Sequence, residues 1–143
     1  KVAVEIKRHY KTDYKKVRFI RRIAHYAEIV GKEERAEMPL LFCSSYLVDI
    51  EKEVPDSAVA DLRQTSAHLA FVASLLEKIG ARKQMINDVC HLLKGLGRTD
   101  RKPSLEAQIL ADAIWLARYE HVAEKDRPAA RLTTAAGRRA AAR

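Results

Sequence analysis

Residues 38–50, MPLLFCSSYLVDI, carry apolar or small side chains at almost every position, and Asp49 is the only charged residue among them. Wound as a helix, this segment is apolar on nearly every side, so it belongs at the centre of a bundle with other helices around it. Asp49 is then an anomaly. An ionised carboxylate in an apolar setting needs a cation, hydrogen bonds or a shifted pKa to offset its desolvation.

The rest of the chain supplies the surrounding helices. VAVEIKRHY reads as a short first helix, and Thr12 or Asp13 can cap a second from about Tyr14 to Val30. Helical spacing gathers Val17, Ile20, Ile23, Ala24, Ala27 and Val30 on one side of it, with Phe19 and Tyr26 at the margin and Arg18, Arg21, Arg22, His25 and Glu28 opposite. Gly31 marks its end. Pro55 and Asp56 restart the chain, and the helical pattern continues through SAHLAFVASLLEKIG to Gly80. In RKQMINDVCHLLKGLG the residues Met85, Ile86, Val89, Leu92, Leu93 and Leu96 share a face that His91 avoids. Ser104 caps SLEAQILADAIWLARYEHV, with Glu106 in its first turn. The expectation is an all-α, single-domain bundle of about six to seven helices. Residues 124–143, Ala- and Arg-rich, read as a C-terminal helix or tail docked on the helical domain of residues 1–123.

Composition agrees. A chain of 143 residues with 48% hydrophobic and 32% charged residues can bury one core and is unlike a disordered segment. No apolar run reaches the roughly 18 residues of a membrane span, and no leader opens the chain, which implies a soluble, cytoplasmic protein without a membrane partner. Cys43 and Cys90 lack zinc-site spacing and read as reduced core thiols. The net charge of +8 favours anionic partners.

Asp112 repeats the Asp49 anomaly. It is bracketed by Leu105, Ile109, Trp115 and Leu116 on the inward side of its helix, with Gln108 one turn earlier as a local hydrogen-bond candidate. Two inward carboxylates on different central helices could converge on one cavity.

In order and texture the chain resembles the HD-domain superfamily of metal-dependent phosphohydrolases, which are all-helical. DYKKVRFIRRIAHYAEIV is similar to that family's opening helix, LLFCSSYLVDIE to its His-Asp helix, EKIGARKQMINDVCHLL to the pair that follows, and SLEAQILADAIWLA to the closing helix with its last metal Asp. RLTTAAGRR resembles a frequent C-terminal ending. The family's chemistry uses a first His, a His-Asp pair and a distant Asp to hold a divalent ion that activates water against a phosphate ester. By the resemblance, the first His position falls on Phe19, the His of the pair on Val48, its Asp on Asp49 and the final Asp on Asp112. Further family histidines would fall around Gln64 and Gly95 to Gly97, where none is present.

The ligand set is thus reduced to Asp49 and Asp112. It implies no metal, or a weakly held hard ion such as magnesium or calcium. Both motif histidines are missing, so the expected function is a non-catalytic HD-like binding or scaffold module for an anionic ligand or partner. The enzyme alternative, a phosphohydrolase acting on nucleotides or other phosphate esters with magnesium, manganese or iron, would recruit His68 as a third ligand. A satisfied core histidine is the competing reading of His68, and His25 and His91 read as surface residues. Residues 7–22, with eight Lys or Arg interleaved with Tyr10, Tyr14 and Phe19, suit phosphate contact. Lys15, Lys16, Arg18, Arg21 and Arg22 are the candidates to attract a nucleotide or other phosphate ligand. A basic helical nucleic-acid-binding protein is the third class, with nonspecific nucleic acid as its partner where charge alone drives the binding.

Overall fold

The computed structural model describes residues 2–50, 62–98, 102–127 and 132–142. Seven α-helices and no strand occur among the described residues: α1 (Val2–His9), α2 (Tyr14–Glu34), α3 (Met38–Leu47), α4 (Ser66–Lys78), α5 (Lys83–Gly95), α6 (Leu105–Arg118) and α7 (Ala135–Ala141). No helix is long and apolar enough to cross a membrane. The restart expected at Pro55 and Asp56 lies outside the described residues.

The central position of the apolar segment holds. α3 packs against α1, α2, α5 and α6, while α2 and α6 form the most extensive helix pair. Ile23, Ala27 and Val30 of α2, Leu41 and Leu47 of α3, Val89 and Leu93 of α5, and Ile109, Leu110 and Ala113 of α6 lie fully buried in one core. Burial of such side chains is the main stabilising term of the bundle, about 1.5–3 kcal/mol for each valine, leucine or isoleucine before entropy is subtracted.

Several helix starts follow the sequence signals. Asp13 caps α2 by accepting from the Lys16 N–H, and Ser104 caps α6 by accepting from Ala107. The N-terminus of α3 has no cap from its own side chain; instead the Glu37 N–H donates to Glu106 Oε2, which ties the start of α3 to the start of α6.

Other boundaries differ from expectation. α2 continues past Gly31 to Glu34 and closes at Arg35, whose left-handed backbone (φ 57°) lets Arg35 N–H and Ala36 N–H reach the Lys32 and Gly31 carbonyls. Gly31 serves packing: a Cβ there would lie 2.5 Å from Leu41 Cδ2 and 2.9 Å from Met38 Sδ. α3 is shorter than expected, ending at Leu47, and Val48 is already extended. Likewise, α4 begins only at Ser66, where the Thr65 hydroxyl accepts from His68 N–H. α7 lies against α2 and α6 with Leu132 and Ala136 buried, and its Ala136 N–H donates to Glu34.

Candidate functional site

The two carboxylates that draw attention in the sequence have different environments. Asp112 faces inward from α6 and is 1% exposed. Its Oδ1 accepts from Thr133 N–H at 3.0 Å and the Thr133 hydroxyl at 3.4 Å, while Oδ2 accepts from Thr134 N–H at 3.0 Å and the Thr134 hydroxyl at 2.5 Å. Thr134 is also the N-cap of α7, accepting from Gly137 N–H at 2.9 Å. Gly137 must lack a side chain, because a Cβ would run into Asp112 Oδ2 and come within 2.8 Å of Thr134 Oγ1. Asp112, Thr133, Thr134 and Gly137 therefore form one polar joint between α6 and α7. Gln108, the neighbour expected to serve Asp112, turns away and donates to the Pro103 carbonyl.

Asp49 is not helical. It lies in the extended segment after α3, with its side chain 43% exposed and Oδ1 3.1 Å from Lys16 Nζ. Gln64 bridges its backbone, accepting from Asp49 N–H at 2.7 Å and donating to its carbonyl at 3.2 Å. One amide side chain thereby satisfies a backbone unit that has left the helix and has no strand partner. Gln64 occupies a position where the family resemblance would allow a histidine, and here that position is structural. Lys16 also lies over the Tyr10 ring, 5.1 Å from its centroid. Of the alternatives of a cation, hydrogen bonds or a shifted pKa, the side chain of Asp49 meets a cation, and that cation is a lysine.

Phe19 and Val48, the positions that the resemblance would assign to two histidines, are buried members of the apolar core. Phe19 sits deeper than the helix margin at which the periodicity places it. His68 is a satisfied histidine, its Nε2 2.6 Å from the Leu47 carbonyl and its ring beside Phe71. His25 and His91 are exposed, as expected. Among the described residues no three His, Cys, Asp or Glu side chains are grouped to hold a metal ion. A divalent ion held in the way the resemblance implies does not fit these residues. Asp112 has both oxygens engaged by four donors, Asp49 is held by an ammonium, and the imidazole positions are hydrocarbon.

The candidate anion-binding residues do not form one cluster. Lys16 is spent on Asp49, and Arg22 is half-buried with its Nε 3.3 Å from Glu120 Oε2. Lys15, Arg18 and Arg21 are exposed on one side of α2 together with Tyr14, which is 71% exposed. Beside Arg22, burial and the hydrogen-bonded Glu120 carboxylate push the Tyr26 phenol above its ordinary range, and Arg22 and Arg127 oppose this. Cys43 and Cys90 are free thiols, raised by burial.

Sequence reasoning missed Lys16 as the partner of Asp49, because no local spacing joins residues 33 apart. It also missed Thr133 and Thr134, although a Thr before the Ala-rich run of α7 is an N-cap signal. No family model matches the chain, and no match was found among curated proteins or solved structures.

Proposed function

We propose that this chain is a non-catalytic, HD-domain-like helical module that binds an anionic ligand or partner, with the family's metal site converted into structure. The observation that carries the reading is the saturation of Asp112. A metal ion would have to displace four hydrogen bonds from a buried carboxylate and gain no imidazole in return. The Lys16–Asp49 pair and the hydrocarbon at Phe19 and Val48 agree with it.

The anionic character of the ligand rests on the net charge of +8 and on the exposed Lys15, Arg18 and Arg21. A nucleotide or other phosphate ligand suits that surface. Nonspecific nucleic-acid binding is a second reading favoured by one feature, the exposed Tyr14 beside those cations, which offers a base a stacking partner.

Titration with magnesium, manganese and iron(II), followed by elemental analysis, tests the first reading. The expected result is no stoichiometric metal and no hydrolysis of aryl phosphates. One tightly held ion per chain, lost on Asp49→Ala or Asp112→Ala, would refute it. Pyrophosphate and a single-stranded oligonucleotide, titrated at rising salt, separate the two ligand readings: uptake of the oligonucleotide alone favours the second.

A further inference from the structure

We infer that the cleft between α1, α2 and α3 binds a single-chain amphiphile bearing one carboxylate, of the medium-chain fatty-acid class. The cleft encloses about 320 Å³. Its walls are Val4, Ile6, Val17 and Ile20, Tyr46 adds an aromatic ring with a polar tip, and Lys7 and Arg21 supply the charges. Mostly apolar walls with a few polar groups, at the low end of the usual ligand-pocket size, define a site for one small molecule rather than a two-chain lipid.

The sign of the head group follows from the charges. Lys7 and Arg21 are exposed and form no ion pair among the described residues. The cleft beside α1 and α4 shows the contrast: its Arg8 and Lys78 are both engaged by Glu5, at 3.2 and 3.6 Å. Val4, left 54% exposed, is one of three large apolar side chains exposed among the described residues, and it lines this cleft. An occupant would cover it. An Arg guanidinium forks onto a carboxylate and a Lys ammonium adds a point charge, while the alkyl chain displaces water from the valine and isoleucine walls.

The inference rests on the anionic-ligand reading only for the sign of the charge; of the three exposed cations offered to phosphates it uses Arg21 alone, and it adds Lys7 and the apolar walls of the cleft. The test is calorimetric titration of the whole chain with monomeric decanoate, with acetate, decanamide and pyrophosphate as comparison ligands. The expected result is one decanoate per chain, an affinity about fourfold weaker for each methylene removed, and no measurable binding of acetate. Decanamide should bind at least tenfold more weakly. The double variant Lys7→Gln/Arg21→Gln should lose at least tenfold in decanoate affinity while unfolding as the parent does, and Val4→Ser should lose severalfold. Methyl NMR shifts on decanoate addition should centre on Val4, Val17 and Ile20. Equal binding of decanamide, full affinity in the double variant, or binding only to phosphatidylglycerol vesicles would overturn the inference. Pyrophosphate binding without decanoate binding would also overturn it, while leaving the anionic-module reading standing.

Discussion

At Asp112 four donors from two consecutive threonines meet one buried carboxylate, whereas at Asp49 one lysine meets a carboxylate with 43% of its side chain exposed. Both residues look alike in sequence: each is a lone charge in an apolar run. That something must compensate each charge was legible; what compensates it was not, because the partners lie 21 and 22 residues away for Asp112 and 33 away for Asp49. The environments predict different costs. Removing the carboxylate at Asp112→Ala leaves buried donors unpaired and should cost about 3 to 5 kcal/mol. Asp49→Ala breaks a partly solvated pair and should cost less than about 1 kcal/mol. Urea unfolding midpoints of the two variants, taken with the parent's slope, check the difference. Equal losses would contradict the assignment of Asp112 as a structural joint.

Among the elements, the existence of α1 to α6 was readable from apolar periodicity and from caps at Asp13 and Ser104. Boundaries that depend on contacts between helices were not. Gly31 looks like a helix stop, yet the backbone there is helical, and the missing side chain admits Leu41 and Met38 of α3. The left-handed closure that glycine usually makes falls four residues later, on Arg35. A side chain in that conformation costs roughly 1–2 kcal/mol, part of which glycine returns through its freer unfolded chain. Arg35→Gly should therefore raise stability by about 0.5–1 kcal/mol, seen as a higher melting temperature. Gly31→Ala should do the opposite, since its Cβ would press on Leu41 at a packed helix contact. The early end of α3 has a similar origin: the Gln64 side chain, not a helical carbonyl, completes the backbone at Asp49.

For the whole molecule, α7 is the element that makes the α2–α6 pair a closed unit. With the segment that leads into it, it brings Leu132 and Ala136 onto the core, an N–H to Glu34, and Arg139 to Glu33 at 2.5 Å, while Thr133 and Thr134 just before it satisfy Asp112. The charge of Asp112 is consequently favourable only in the presence of α7. Ending the chain at Arg127 removes all four donors, exposes part of the surrounding apolar surface and leaves the carboxylate against hydrocarbon. The effect of an isosteric apolar substitution should then reverse with context. Asp112→Leu should destabilise the full chain by about 3 kcal/mol, because buried donors lose their acceptor. In the truncated chain the same substitution removes an uncompensated charge and should be neutral or stabilising. Chemical unfolding of the four proteins forms a double-mutant cycle whose coupling should be at least about 2 kcal/mol. Additive losses would mean that Asp112 contributes to the bundle independently of α7, and the carboxylate would again need a partner other than Thr133 and Thr134.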